Sequence, residues 1–464
     1  MSDFSFKSLQ DLSNGLDRKV FSATELLEAV IARHDQLEPR LNMFCHVDFD
    51  AARVSAQASD ARIRRGERIG ALDGIPTSIK DLIAVRDMPQ RFGSRSVSDA
   101  PVTQDAPSVE RLRKAGAVIL GKSTTSEFGC KGVGDSPLTG ITRNPWNPDK
   151  TPGGSSCGAA AMVAAGLVPY AIGTDGGGSI RIPASLCGLF GIKAQFGRVP
   201  VFPTSATPTL AHVGPLARNA QDAATVLSVI AGYDRRDPAT VAGPLADLDA
   251  AGRNPRRLRI AWSPTLGYGR VDPEVQQITA NAVATIAGLG ADVEQVDHVM
   301  DDPVDLWAAE FYAGVGTKLR QVLQDAPEML DPAVLEVLQI AISQDMDSYY
   351  HKVFARYAFR EKMRQFFESY DLLLTPTVPV PAFDVGLDVP PCFEDKSIVS
   401  WATFTYPFNL TGQPAASLPV GMTRDGLPVG LQIVAPIHDE AAIFSLAARY
   451  QNATSGAGDM RPAL

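Results

Sequence analysis

Two glycine- and serine-rich segments carry the residues best suited to chemistry: Thr151-Pro-Gly-Gly-Ser-Ser-Cys-Gly158 and Gly173-Thr-Asp-Gly-Gly-Gly-Ser-Ile-Arg-Ile-Pro-Ala184. In the second, Gly176, Gly177 and Gly178 immediately precede Ser179. Lacking Cβ atoms, three such residues can turn successive N–H groups toward one point. A developing oxyanion requires that arrangement. A hydroxyl beside it suits acyl transfer, provided a base takes its proton. Taken alone, each segment is equally a tight turn with a helix-capping serine. Two other patterns lead elsewhere. Gly116-Ala-Val-Ile-Leu-Gly-Lys-Ser123 satisfies the P-loop spacing. Its four middle residues, however, read as a buried strand rather than a loop that wraps phosphates. A Ser-His-Asp arrangement lacks its G-x-S-x-G elbow, because Cys157 breaks the one near match, at Ser155.

Further blocks surround these segments. Ala71-Leu-Asp-Gly-Ile-Pro-Thr-Ser-Ile-Lys-Asp81, Ala115-Gly-Ala-Val-Ile-Leu-Gly-Lys-Ser123 and Asn144-Pro-Trp-Asn147 come before them. Asp371-Leu-Leu-Leu-Thr-Pro-Thr377, Asn409-Leu-Thr-Gly-Gln-Pro-Ala415 and Gly426-Leu-Pro-Val-Gly-Leu-Gln432 come after. In this order and spacing the chain resembles the amidase signature family over nearly its whole length. The resemblance implies hydrolysis of a carboxamide C–N bond through an acyl-enzyme. Lys80 matches the family's catalytic lysine, Ser155 the serine held by a cis peptide bond, and Ser179 the nucleophile. The N–H groups of Gly176, Gly177 and Gly178 match the oxyanion hole. Thr174, Asp175 and Arg181 flank the nucleophile and are expected to brace the glycine loop. The chemistry adds its own demand. Lysine is a base only when neutral, so burial must bring its pKa from about 10.4 to about 7–8. Ser155 would then pass the proton of Ser179 to Lys80 and return one to the leaving amine. A Lys80–Ser155 separation beyond about 8 Å would exclude that relay.

The resemblance also places Gly129 and Cys130 near the acyl-binding wall, with residues 311–316 and 400–405 closing the pocket. Phe311, Tyr312, Trp401 and Phe404 then point to an apolar or aromatic acyl group, or else they pack the helical insertion. Cys157 departs from the pattern by replacing a glycine. It is either a small buried residue at a helix start or a thiol close enough to narrow the pocket and react with alkylating agents. His212 is either a site-edge residue or a hydrogen-bonded structural one. Three functions follow. One is a free-standing amidase acting on a small carboxamide or anilide, releasing ammonia or an amine. Another is the glutamine-hydrolysing A-type subunit of a tRNA-dependent amidotransferase. That branch usually shows a Tyr-Gly-Leu run and an aspartate where His212 stands, and residues 196–215 here differ. The third is a catalytically silent binding protein on the same scaffold. No metal or organic cofactor is implied, and a homodimer is common in the family.

The elements that must position these groups are legible in part. Ser22-Ala-Thr-Glu25 is a capping box, followed by Leu26, Leu27, Val30, Ile31 and Leu37 at helical spacing and a stop at Pro39. Residues 48–66 predict a helix closed by Gly66, residues 106–115 another, and Ala117–Leu120 a buried strand. Residues 156–166 predict a helix capped at Gly166, then a strand from Val168 to Ile172 and a helix over 219–231. Residues 234–257 read as a surface connection. Leu258–Trp262 reads as a strand, 272–289 as a helix and 303–370 as strongly helical. Residues 375–392 read as a proline-rich ordered loop, with strands returning at 415–420 and 429–435. Strands alternating with helices predict an α/β fold, a mixed sheet covered by helices on both faces, with a largely helical insertion. One amidase domain is expected over 1–464: a helical segment at 1–66, a signature core at 67–233, the insertion at 235–400 and a return to the core at 401–464.

The bulk properties set limits. A net charge of -9 argues against a nucleic-acid surface. Five scattered cysteines with no C-x-x-C pair fit a reducing compartment and exclude the usual zinc spacings. The polar N-terminus lacks a signal-peptide core, and no apolar run approaches the roughly 18 residues of a membrane span. A cytoplasmic enzyme with a small-molecule amide substrate is the expectation.

Overall fold

The computed structural model describes residues 4–243, 245, 248, 257–454 and 461–464. Its strands, in chain order, are β1 (Phe44–Val47), β2 (Pro76–Lys80), β3 (Val118–Ser123), β4 (Asp135–Ser136), β5 (Gly140–Ile141), β6 (Tyr170–Asp175), β7 (Phe190–Lys193), β8 (His212–Ala217), β9 (Arg259–Trp262), β10 (Asp292–Gln295), β11 (Leu372–Pro376), β12 (Ala415–Met422) and β13 (Pro428–Val434). Eleven form one sheet in the order β1-β3-β2-β6-β8-β7-β12-β13-β11-β9-β10. It is mixed: β3, β2 and β6 run parallel, as do β11, β9 and β10, and antiparallel pairs join the two groups.

Side-chain alternation explains why both faces are covered. Ile260 and Trp262 of β9, and Leu372 and Leu374 of β11, pack into the main core. Ala261 and Leu373 between them pack into a second core on the other side. The main core takes apolar stripes from the helices Leu9–Asp17, Ala23–Leu41, Ala220–Ile230 and Glu440–Ala453. The second takes Trp307, Phe311, Val315, Val334, Leu338 and Phe359 from Val304–Lys318, Pro332–Ile342 and Met346–Ser369. Between 257 and 400 the helices Pro273–Gly288, Val304–Lys318, Pro332–Ile342 and Met346–Ser369 are interspersed with β9, β10 and β11, which extend the sheet from within this stretch.

Most predicted elements form. The capping box at Ser22 and Glu25 is made, and Gly66 ends Phe49–Arg65 in the left-handed region at φ 73°. The helix that begins at Ala23 does not stop at Pro39. It runs to Leu41 and ends on Asn42 at φ 53°. The missing Pro39 N–H forfeits only the bond to the exposed Asp35 on the last turn, and the Glu38 carboxylate accepts the N–H groups of Met43 and Phe44 at the exit. The strand expected from Val168 begins at Tyr170 instead, since Pro169 has no N–H for the ladder and the Val168 carbonyl accepts from Arg218. The strand at Ala117–Leu120 continues through Gly121-Lys122-Ser123. A Cβ at Gly121 would lie 2.1 Å from the His46 carbonyl oxygen. The neighbouring strand requires that glycine, and Lys122 is buried on Asp81 at 3.2 Å. Of the connection read at 234–257, residues 244, 246–247 and 249–256 lie outside the described residues.

Candidate active site

β2 and β6 are adjacent and parallel, with Ile79 opposite Ile172. Their C-terminal ends therefore emerge side by side, where open α/β sheets place their sites. Lys80 is the last residue of β2. β6 ends at Asp175, and the chain then passes through the three glycines to Ser179 and the helix Arg181–Cys187. Ser155 and Ser156 lead into the helix Cys157–Ala164, and the Gly154–Ser155 peptide is cis.

These segments converge. Lys80 Nζ donates to Ser155 Oγ at 2.7 Å and to Ser156 Oγ at 2.9 Å. The relay distance is well inside the 8 Å limit. The Ser156 N–H donates to the Ser179 carbonyl at 3.2 Å, tying the two serine segments together. Lys80 is fully buried. Burial lowers its pKa to about 7, against opposing contributions from Cys157 and Asp175. A neutral amine beside a hydroxyl can accept that hydroxyl's proton.

The glycine loop is braced from below. Burial alone would raise the Asp175 carboxyl, but the Arg181 guanidinium outweighs it, helped by Lys193 and Asn409, and holds it below the usual carboxylate range. Arg181 contacts both Asp175 oxygens at 2.9 Å, Gln432 Oε1 at 2.8 Å and Asn409 Oδ1 at 2.7 Å, all buried. Asp175 Oδ1 accepts the Gly178 N–H at 2.8 Å. That N–H is thus engaged with the protein, which takes Gly178 out of the expected donor trio. Gly176 and Gly177 keep free N–H groups among the described residues, while their carbonyls accept from Trp307 Nε1 at 2.8 Å and Thr405 Oγ1 at 2.6 Å. Thr174 exchanges hydrogen bonds with Ser156 Oγ.

Above this base lies a cavity of about 380 Å³, lined by Ser155, Ser179, Gly129, Thr174, Asp175 and Gly176 at its floor. Leu82, Phe92, Phe128, Phe202, Phe311 and Val315 form much of its walls. Of the residues expected at the pocket, Gly129 and Phe311 reach it and several do not. Cys130 is buried behind the wall. Trp401 packs edge-on against Phe383, with its indole N–H unpartnered. Tyr312 and Phe404 pack in the second core. Cys157 is buried at the first turn of its helix, with Sγ 3.6 Å from Thr124 Oγ1, and burial raises its thiol pKa. His212 does line the cavity. Its Nδ1 lies 2.7 Å from the Leu210 carbonyl and its Nε2 3.4 Å from Lys193 Nζ. Burial first, and then the neighbouring Lys193, lower its pKa well below that of an ordinary histidine.

Sequence reasoning did not single out Ser156, Asn409, Gln432, Thr405 or Trp307. Asn409 and Gln432 stand in two of the motif blocks, so their positions carried a signal without a role. Trp307 stands in unremarkable helical sequence, and Thr405 in the 400–405 stretch expected to close the pocket; both meet the glycine loop only in three dimensions.

A buried lysine bonded to a serine lies at the strand ends of this α/β scaffold, beneath an apolar cavity. The family model for amidases matches residues 25–444. The chain is 35% identical to an acylamidase of Rhodococcus erythropolis over 95% of this chain and 94% of that one. It is 34% identical to the A-type subunit of the glutamyl-tRNA(Gln) amidotransferase of Methylococcus capsulatus, over 97% of each. Among solved structures, a bacterial aryl acylamidase of the amidase signature enzymes superposes with a TM-score of 0.92 at 29% identity, covering 99% of both chains. A 6-aminohexanoate cyclic dimer hydrolase superposes with a TM-score of 0.91 at 28% identity, again over 99% of both. The chain belongs to the amidase signature family and is an amide hydrolase acting on C–N bonds other than peptide bonds. No helix among the described residues is long and apolar enough to cross a membrane.

Proposed function

We propose that the chain is a free-standing amidase that cleaves amides with apolar or aromatic substituents through an acyl-enzyme on Ser179. The observation that carries this reading is the 2.7 Å contact of Lys80 with Ser155 at the floor of the cavity that Ser179 also lines. Neutral Lys80 takes the Ser155 proton as Ser155 takes that of Ser179, and Ser179 Oγ bonds to the substrate carbonyl carbon. The N–H groups of Gly176 and Gly177 are the donors for the resulting oxyanion. As the C–N bond breaks, Lys80 returns its proton through Ser155 to the departing nitrogen. Water then attacks the acyl carbon while its proton passes through Ser155 to Lys80; the bond from that carbon to Ser179 Oγ breaks, the proton returns by the same relay to Ser179, and the carboxylic acid leaves.

The cavity's charge supports the free-standing reading over the glutamine-hydrolysing one. An amino-acid substrate brings an ammonium and a carboxylate, and each needs a partner once desolvated. Besides His212, the acidic and basic side chains among the lining residues are Asp175, already committed to Arg181, and Lys318, exposed and donating to the Thr204 carbonyl at 2.8 Å. The sequence likeness to the A-type amidotransferase chains keeps glutamine in the test. Hydrolysis of anilides, aliphatic amides and glutamine should be compared for the wild type, Ser179→Ala and Lys80→Ala. Turnover of apolar amides, lost in both variants, is expected. Glutamine turnover alone, appearing only with partner subunits, would replace this reading with the amidotransferase one.

A further inference from the structure

Away from the reacting groups, Lys131 joins elements that carry or support lining residues of the cavity. Its side chain is almost fully buried. It donates to Asp135 at 2.6 Å, Asp331 at 2.7 Å and Asp388 at 2.7 Å. The three carboxylates belong to different parts of the fold: strand β4, the N-cap of the helix Pro332–Ile342, and the proline-rich loop after β11. One ammonium therefore joins three anions that would otherwise repel one another. A second tie runs alongside. Glu127, fully buried, accepts the Asp331 N–H at 2.7 Å, and Tyr312 donates its hydroxyl to the Cys130 carbonyl at 3.3 Å.

The walls follow from these ties. Phe128 and Gly129, immediately before Cys130 and Lys131, line the cavity, and a Cβ on Gly129 would sit 3.2 Å from Ser155 Oγ. Phe311 and Val315 line it from the helix Val304–Lys318. That helix packs closely on Pro332–Ile342: a Cβ on Gly316 would meet Ile342 at 2.5 Å. Asp331 begins the supporting helix, so the Lys131–Asp331 contact links the Phe128 wall to the Phe311 wall.

We propose that Lys131 is a positioning residue: by clamping Asp135, Asp331 and Asp388 it fixes the spacing between the cavity's two apolar walls and so sets which substituents the site accepts. The proposal rests on Ser179 being the reactive serine. The test is the rate at which a short-chain and a long-chain alkyl fluorophosphonate label Ser179, in the wild type, Lys131→Met and Lys131→Arg. With Lys131→Met the walls part. The long-chain rate should fall at least 10-fold while the short-chain rate stays within about 3-fold, because a small reagent needs only the serine and its base. Lys131→Arg, which keeps the charge, should recover the wild-type ratio. If Lys131→Met does not fold, Asp388→Asn removes the most exposed of the three carboxylates, 38% accessible, and should shift the ratio the same way by a smaller factor. An unchanged long-to-short ratio in either folded variant overturns the proposal, even if thermal stability drops. A wild type that takes no label at Ser179 overturns the underlying reading of the site instead.

Discussion

At the level of single residues, the account depends on a lysine that is neutral near physiological pH. With a pKa of about 7, Lys80 is the base only in its deprotonated form. Activity should therefore rise with pH through about 7 and level off above it, falling about tenfold per unit on the acidic side. A kcat/KM profile on one apolar amide measures this, and a profile flat from pH 5 to 9 would remove Lys80 from the role. Protonating a buried lysine also costs folding free energy. Its pKa is lower folded than unfolded, so the penalty is full below about pH 7 and disappears as pH rises toward the unfolded value near 10.5. Lys80→Met should thus lose activity yet unfold at a higher temperature than wild type at pH 6, with the difference shrinking at pH 9. Cys157 makes the opposite kind of prediction. Its thiol is buried and its pKa raised, so the reactive thiolate is scarce. Iodoacetamide at pH 7.5 should modify the exposed Cys392 and leave amidase activity intact. Inactivation prevented by Cys157→Ala would contradict this.

Among the elements, the glycine loop matters most, because it hangs between β6 and the helix Arg181–Cys187 without regular backbone bonds of its own. Its shape comes from the buried network of Asp175, Arg181, Asn409 and Gln432. Removing one partner of a buried ion pair strands the other charge, at about 3–5 kcal/mol. Arg181→Met should cost stability of that order in denaturant unfolding and lower kcat as well, through the displaced Gly176 and Gly177. Arg181→Lys keeps the charge but cannot reach both Asp175 oxygens, Gln432 and Asn409 together, and should fall between the two. Loss of stability with kcat unchanged would mean that the network supports the fold and not the site. The sequence revealed this loop's composition but not its support. Asp175 and Arg181 are six positions apart and could be paired on paper. Asn409 and Gln432 lie 228 and 251 positions beyond Arg181, on the short helix Pro407–Thr411 and on β13, and only the sheet order β7-β12-β13 brings that stretch of chain to the glycine loop. Likewise β1, β2, β4, β5, β7, β8, β10 and β11 were not predicted, because runs of two to six residues give a period-2 signal too short to stand out. The longer helices, with caps and apolar stripes, were legible.

The molecule as a whole couples a mixed sheet, which fixes the catalytic groups at the strand ends, to a helical layer that supplies one wall of the cavity. Lys80, Ser155 and Ser179, the proposed catalytic residues, could be singled out because they sit in short blocks with distinctive spacing, and the fold brings those blocks together. The pocket was not legible in that way. Phe311 reaches the cavity while its neighbour Tyr312, and also Trp401 and Phe404, pack inward. Which aromatic faces the substrate depends on helix rotation and on packing between distant segments. The cavity's apolar walls predict that, within one anilide series, lengthening the acyl group by single methylenes lowers KM at each step until the 380 Å³ volume is filled. Each buried methylene contributes roughly 0.8 kcal/mol, or about fourfold. A KM that ignores chain length would place the acyl group outside the cavity.

The most direct test is to locate the acyl-enzyme. An apolar anilide or ester would be mixed with the wild type, quenched in acid during turnover, and the acyl mass mapped by peptide mass spectrometry. The account predicts the acyl group on Ser179, and its absence from Ser179→Ala. An acyl group on Ser155, or turnover of the amide by Ser179→Ala, would contradict it.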